Sequence, residues 1–308
     1  MIYRFGTLLS LFCLLHAGCK PPAEETGKLN VVASIEPLAY FAEKVGGRYV
    51  SVSVMVPPGG NPHSYEPTPK QMSTLSGATV FIKAGSGVEF ELDWMPRILS
   101  LNPSLQVCDV SKGITFIAMK EAHSHDKDHD HEDEHGHHEG ETAHRHEGND
   151  PHFWLAPKNA VLITRNIEKA FASADPSNKE YFRANSEKLV AELGALHREI
   201  AKTLEPVRNR RFLVFHPAWG YYAAAFGLEQ LSAEEEGKSL TPRQLREVIG
   251  KAKANNIRVV FISAQFSVQQ AEAIARGIGG VTKIVDPLAR DYQQNLRNAT
   301  EAFSSAMR

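Results

Sequence analysis

The sequence predicts an α/β protein built from two (β/α) lobes with parallel sheets, which are joined by a long rigid helix. Three observations lead to this prediction. Short runs rich in β-branched and aromatic residues alternate with segments of helical periodicity. These runs fall into two groups, separated by one long amphipathic segment. The chain has 308 residues, of which 42% are hydrophobic, so it is long enough to form two units around sizeable cores.

Six segments are predicted strands, three in each half of the chain. Each is a short run rich in Val, Ile, Thr or Phe, as is typical of buried strands. They begin at Leu29, Val50 and Thr79 in the first half and at Arg211, Arg258 and Thr282 in the second half. Because helical patterns lie between the strands, we expect parallel sheets with helices on both faces.

Two of the intervening helices have clear end signals. The segment "PLAYFAEKVGG" ends on Gly46 and Gly47, and glycine is common just after a helix. The segment "TPRQLREVIGKAKANN" opens on Thr241, a candidate N-cap, with Pro242 at the first helical position. Both segments are therefore predicted helices.

The segment between the two groups of strands predicts one long helix. Asp175 can cap its start, Pro176 can open it and Pro206 stops it. Its apolar positions recur at helical spacing: Phe182, Leu189, Leu193, Leu196, Ile200 and Leu204. About 28 helical residues would span about 42 Å. We expect a spine (175–206) between an N-terminal lobe (29–174) and a C-terminal lobe (207–308), with a cleft between them; the alternative is an ordinary amphipathic helix of a single domain.

The start of the chain predicts export. Arg4 precedes the apolar stretch "FGTLLSLFCLL", which is too short for a stable membrane span, and "HAGC" ends at Cys19. "AGCK" resembles the end of a bacterial lipobox, so residues 1–19 are a predicted signal segment and residues 20–28 a tether. Lipidated Cys19 would attach the protein to a membrane; a plain secretory signal is the alternative. Either way we expect a periplasmic or cell-surface protein, in which Cys108 would have no cysteine partner within the chain.

The acidic segment 121–147 is rich in histidine. It holds ten acidic residues against Lys127 and Arg145, so the remainder of the chain is slightly basic although the overall formal charge is −2. The remainder has no basic run, which argues against a nucleic-acid partner. The segment has almost no apolar residues, so we expect a mobile loop that binds additional zinc weakly. Its nine histidines are His123, His125, His129, His131, His135, His137, His138, His144 and His146.

Four residues outside this segment are candidate ligands of a tight metal site. His216 and Asp286 directly follow predicted strands, and His63 lies a short turn beyond another. His152 precedes a helix that begins near Pro157. In open α/β sheets ligands bind at the carboxyl ends of the strands, and three imidazoles with one carboxylate suit tetrahedral Zn²⁺.

These residues lie in segments that resemble a known family. The segments "NPHSYEPTPKQM", "NDPHFWLAPKNA", "VFHPAWGYYAAAFGLEQ" and "DPLARDY" are similar to signature segments of the zinc- and manganese-specific solute-binding proteins of bacterial ABC importers. The resemblance covers Leu29 to Arg308. It implies two lobes joined by a rigid helix, with a metal held by His63 and His152 from the first lobe and by His216 and Asp286 from the second.

The resemblance also implies a function. The protein would be a monomer that captures Zn²⁺ as cargo and delivers it to an ABC membrane permease, and it would not be an enzyme. Manganese-specific members tend to have a carboxylate where this chain has His216, and imidazole favours zinc over Mn²⁺. The alternatives are a manganese importer, a metal-storage or adhesin lipoprotein, and a zinc hydrolase.

The supporting residues of the site are left open by the sequence. Gln265 stands in a stretch where relatives often carry Glu, which makes the pocket less anionic. Tyr65 and Glu66 are candidates for orienting a ligating imidazole. Whether Asp286 binds through one oxygen or two, and whether water completes the shell, is also open.

Overall fold

The computed structural model describes residues 27–119, 148–234, 239–266 and 268–308. The predictions for the signal segment, for Cys19 and for the histidine-rich segment 121–147 lie outside the described residues. Among the helices that are described, none is both long enough and apolar enough to cross a membrane.

The first lobe contains a four-stranded parallel sheet. Its strands are β1 (Leu29–Ala33), β2 (Val50–Val54), β3 (Val80–Lys83) and β4 (Gln106–Asp109), in the order β2-β1-β3-β4. Its helices are α1 (Glu36–Gly46), α2 (Pro69–Ser76), α3 (Glu89–Leu101) and α4 (Pro157–Ala174). The strand order reverses beside β1, and the carboxyl ends of all four strands share one edge of the sheet.

A long helix, α5 (Lys179–Leu204), leads into a second lobe with the same sheet architecture. The strands there are β5 (Arg211–Val214), β6 (Glu229–Ser232), β7 (Val259–Ile262) and β8 (Val281–Ile284), all parallel in the order β6-β5-β7-β8. The helices are α6 (Gly220–Phe226), α7 (Pro242–Ala254), α8 (Val268–Ile278) and α9 (Tyr292–Ala306). The predicted fold class, two α/β lobes with parallel sheets and a long connecting helix, is confirmed.

The predicted apolar stripe of α5 is buried. All six predicted positions, Phe182, Leu189, Leu193, Leu196, Ile200 and Leu204, are buried. The helix packs against α1 and α4 of the first lobe and against α9 at the end of the chain. One hydrophobic core therefore runs from the first sheet across α5 into the second lobe, where it includes Phe212 and Phe303.

The start of α5 differs from the prediction. Pro176–Asn178 form a 3-10 turn, and the α-helix begins at Lys179. The Asp175 carboxylate accepts a hydrogen bond from the Asn178 side chain (2.6 Å) within this turn. The proline therefore opens a tight turn that precedes the helix.

Two strands, β4 and β6, have no counterpart in the sequence-based prediction. Both are edge strands of four residues; half of "QVCD" and three quarters of "EQLS" are polar. An edge strand pairs on one side only, so it need not carry the apolar residues that mark a central strand. The other two edge strands, β2 and β8, do carry β-branched residues and were predicted.

Polar contacts tie the two lobes together beside the core. The Arg290 guanidinium donates to the Glu36 carboxylate (2.6 Å) and to the Glu43 carboxylate (2.7 Å), both on α1. The Trp154 indole N–H donates to the backbone carbonyl of Pro287 (2.8 Å). The loop after β8 is thereby held against the first lobe.

Candidate metal centre

Three of the four predicted ligands meet in the cleft between the lobes. His63 lies in the loop after β2, His152 lies before α4, and His216 follows β5. One ring nitrogen from each lies within 4.8 Å of the others. The Nε2 atoms of His152 and His216 are 3.4 Å apart. Two nitrogens bound to one tetrahedral zinc at about 2.0–2.1 Å stand about 3.3–3.4 Å apart, so this pair already has the required spacing.

The site is shielded from solvent. His152 is 5% exposed and His216 is 8% exposed, while His63 is half-buried at the mouth of the cavity. The ring of Phe266 stacks on His216 with centroids 4.1 Å apart. Apolar side chains of Val88, Trp154, Phe266 and Leu288 complete much of the wall. Such a wall excludes water and strengthens electrostatic interactions inside the cavity.

Each imidazole is backed by a carboxylate on its Nδ1 side. The distances from Nδ1 are 2.7 Å to Glu89 for His63, 2.8 Å to Asp150 for His152 and 2.5 Å to Glu234 for His216. A carboxylate on Nδ1 fixes the tautomer with the proton on that nitrogen, which leaves the Nε2 lone pair free for a metal.

The protonation states also suit a metal. Burial, reinforced by the charges of His152 and His63, holds the pKa of His216 well below its usual range. Burial raises the pKa of Glu89, but its hydrogen bond and charge interaction with His63 outweigh this, so the pKa is lowered overall. At neutral pH His216 is therefore a neutral imidazole, and Glu89 is an anion that offsets part of the charge of a divalent cation.

The sequence did not identify these three carboxylates. Asp150 precedes His152 by two residues, and "NDPH" is the signal that could have indicated it. Glu89 opens α3, and Glu234 follows the unpredicted strand β6, so neither has a local signal. Tyr65, which the sequence suggested as a residue that orients an imidazole, instead donates a hydrogen bond from its hydroxyl to Gln71 on α2.

A glycine makes room for one of the supporting carboxylates. Gly220, the first residue of α6, lies against Asp150 across the interface between the lobes. A Cβ at this position would be 2.4 Å from the Asp150 carboxylate oxygen. Glycine therefore lets the second lobe approach the carboxylate that supports His152.

Asp286 is not brought into the group of three histidines. It follows β8 as predicted, but its Oδ1 accepts hydrogen bonds from the Leu288 backbone N–H (2.9 Å) and the Gln265 side-chain amide (2.9 Å). Gln265 lines the cavity. The prediction that Asp286 is the fourth ligand stays a prediction.

Two α/β lobes with three carboxylate-backed imidazoles in the cleft between them define a metal-binding protein of the two-lobed solute-binding class. The chain belongs to a family within that class: residues 31–306 match the family of ZnuA, described as the periplasmic component A of a zinc-uptake complex. The sequence-based recognition of the family is thereby confirmed.

Individual relatives agree with this placement. The high-affinity zinc uptake system protein ZnuA of Bacillus subtilis is 31% identical over 288 residues, which cover 89% of this chain and 85% of the relative. The zinc-binding lipoprotein AdcA of Streptococcus pneumoniae is 26% identical over 97% of this chain, which spans only 58% of AdcA. The manganese-binding lipoprotein MntA of Halalkalibacterium halodurans is 28% identical over 271 residues, which cover 84% of this chain and 80% of the relative. A crystal structure of ZnuA, 34% identical, superposes with a TM-score of 0.80 over 91% of this chain and all of that one.

Proposed function

We propose that this protein captures Zn²⁺ outside the cytoplasm and delivers it to the membrane permease of an ABC importer. The observation that carries the proposal is the cluster of His63, His152 and His216, whose Nδ1 atoms each face a carboxylate. Both lobes contribute to it, so a relative movement of the lobes can open the site. The names of the zinc-uptake relatives support zinc as the cargo.

The same geometry favours a carrier over a zinc hydrolase. A hydrolase needs a metal-bound water and a free general base beside it. Glu89, Asp150 and Glu234 are each within 2.8 Å of an imidazole Nδ1, so these carboxylates are engaged in orienting ligands. The family consists of transporter components, which fits the same conclusion.

We also propose that the protein is exported and attached to a membrane through a lipid on Cys19. The apolar stretch before Cys19 supports export, and relatives named as lipoproteins support the anchor. Gly27 and Lys28, the first described residues, lie directly before β1, so a tether over residues 20–28 would lead straight into the first lobe.

Zinc is expected to bind far more tightly than manganese. Imidazole nitrogen is a borderline-soft ligand that suits zinc, whereas Mn²⁺ prefers oxygen ligands. Competition of each metal against a chelator at pH 7 measures the two affinities. His216→Asp should reduce the ratio of zinc affinity to manganese affinity, because it replaces one nitrogen ligand by an oxygen ligand. Tight manganese binding with weak zinc binding by the wild-type protein would show that the cargo assignment is wrong.

Deleting residues 121–147 is expected to leave the tight one-to-one zinc site intact and to remove weaker additional binding. The three clustered imidazoles all lie outside this segment. Calorimetric titration of the full chain and of the deletion variant separates the two phases. A deletion variant that folds normally but has lost the tight phase would place the main site in the histidine-rich segment.

Zinc release is expected to require only a modest movement of the lobes. The helix α5 packs against both lobes, and Arg290 bridges the second lobe to Glu36 and Glu43 on α1. We propose residues 29–174, 175–206 and 207–308 as the N-terminal lobe, the linking helix and the C-terminal lobe. Small-angle scattering or spin-label distances on the apo and zinc-loaded protein would measure the movement. A closure of tens of degrees would contradict a rigid spine.

A further inference from the structure

One amide oxygen at the metal centre has no partner. Gln265 follows β7 and lines the same cavity as the three histidines. Its Oε1 is buried and accepts no hydrogen bond from any part of the chain that the structure describes. Buried acceptors nearly always have a hydrogen-bond partner. An acceptor without one at the wall of a metal cavity therefore indicates that a ligand binds there.

A hydrogen bond to Asp286 fixes the orientation of the Gln265 amide. Gln265 Nε2 donates to Asp286 Oδ1 (2.9 Å). A carboxylate only accepts hydrogen bonds, so the NH₂ end of the amide must face Asp286 and the oxygen must lie on the other side. Asp286 is itself held by the Leu288 backbone N–H and, through its own backbone carbonyl, by the Asn295 side chain (2.6 Å).

The other oxygen donors around the cavity are already engaged. Glu89, Asp150 and Glu234 each face the Nδ1 atom of an imidazole. Asp286 Oδ1 accepts two hydrogen bonds and lies behind Gln265. Two residues that line the cavity have a buried oxygen without a hydrogen-bond partner among the described residues, Glu89 and Gln265. Glu89 Oε2 lies 2.7 Å from His63 Nδ1, so the Gln265 amide oxygen is the one that faces no imidazole Nδ1.

We propose that Gln265 Oε1, in place of the Asp286 carboxylate predicted from the sequence, is the oxygen ligand of the metal alongside the three histidines, and that Asp286 is a positioning residue that orients the Gln265 amide. This inference rests on the proposed zinc site. A neutral amide in place of a carboxylate leaves a first coordination shell without anionic oxygen, which disfavours hard cations such as Mn²⁺. The three carboxylates behind the imidazoles then supply the negative charge.

The experiment compares Gln265→Ala, Gln265→Met, Asp286→Ala and the double variant Gln265→Ala/Asp286→Ala with the wild-type protein. Gln265→Met keeps the length of the side chain and removes the amide. Zinc affinity is measured by chelator competition, and the visible spectrum of the cobalt-loaded protein reports the ligand set. Ser263→Ala is the matched control, because Ser263 is buried in the same loop but does not line the cavity. Circular dichroism verifies that each variant folds.

We expect both Gln265 variants to bind zinc about 10–100-fold more weakly and to change the cobalt spectrum, while Ser263→Ala matches the wild type. Asp286→Ala should weaken binding less, and the double variant should bind no more weakly than Gln265→Ala, because Asp286 acts through the amide. Wild-type affinity and spectrum in both Gln265 variants would overturn the inference, as would a larger loss in Asp286→Ala that adds to that of Gln265→Ala. If either of these outcomes is found while His216→Ala still loses zinc binding, the inference about Gln265 is wrong but the proposed function stands.

Discussion

Replacing either His63 or His216 by alanine is expected to lower the affinity for zinc by more than about 100-fold, the upper value typical of losing a residue that only supports a ligand. Each substitution removes one imidazole from a group whose nitrogens already lie within 4.8 Å of one another. The loss should be larger for His216, because it is 8% exposed and few waters can take its place. Competition with a chelator of known affinity measures the change.

A suitable control is His197→Ala. His197 lies on α5, stacked on Phe226 with ring centroids 4.9 Å apart, and it is not part of the cluster. This variant should bind zinc like the wild-type protein. If His63→Ala and His216→Ala both retain wild-type affinity for the tight site, the assignment of the metal centre is wrong.

Replacing Glu234 by glutamine is expected to weaken zinc binding by about 10–100-fold, although Glu234 does not itself bind the metal. Its carboxylate lies 2.5 Å from His216 Nδ1 and is almost completely buried. The amide has nearly the same shape, so the fold should be retained. The change removes a negative charge that increases the basicity of the imidazole and offsets the charge of the metal.

Glu229→Gln provides the matched comparison for this prediction. Glu229 lies on β6, five residues before Glu234, and its carboxylate pairs with Arg211 at the surface (2.7 Å). Surface ion pairs contribute little, so this variant should keep the wild-type zinc affinity. Equal affinities of Glu234→Gln and Glu229→Gln would show that the buried carboxylate has no influence on the metal.

The central strands, the spine helix and the positions of three histidines could be predicted from the sequence. Central strands carry dense β-branched runs, and α5 carries an apolar stripe over more than five turns, so local patterns were sufficient. The same parallel topology places the loops after the strands at one edge of each sheet. This is why His63 and His216, which follow β2 and β5, could be assigned to a common site.

The edge strands β4 and β6 and the supporting carboxylates could not be predicted in this way, whereas the edge strands β2 and β8 carry β-branched residues and were predicted. The strand β6 is short and polar, and because it was not recognised, Glu234 was not placed at the carboxyl end of a strand beside His216. Glu89 and His63 are 26 positions apart in the sequence and meet only because α3 folds back over the loop after β2.

The amino-acid sequence by itself determined the two-lobed α/β architecture, the connecting helix and which imidazoles lie at strand ends. These follow from periodicities that each segment carries alone. Only the tertiary structure decided which side chains touch: the carboxylate behind each imidazole, the room left at Gly220 for Asp150, and the hydrogen bonds that set Asp286 behind Gln265. The reason is geometric, because a difference of a few ångströms between a ligand and its support depends on how separate segments pack, and no local pattern encodes that distance.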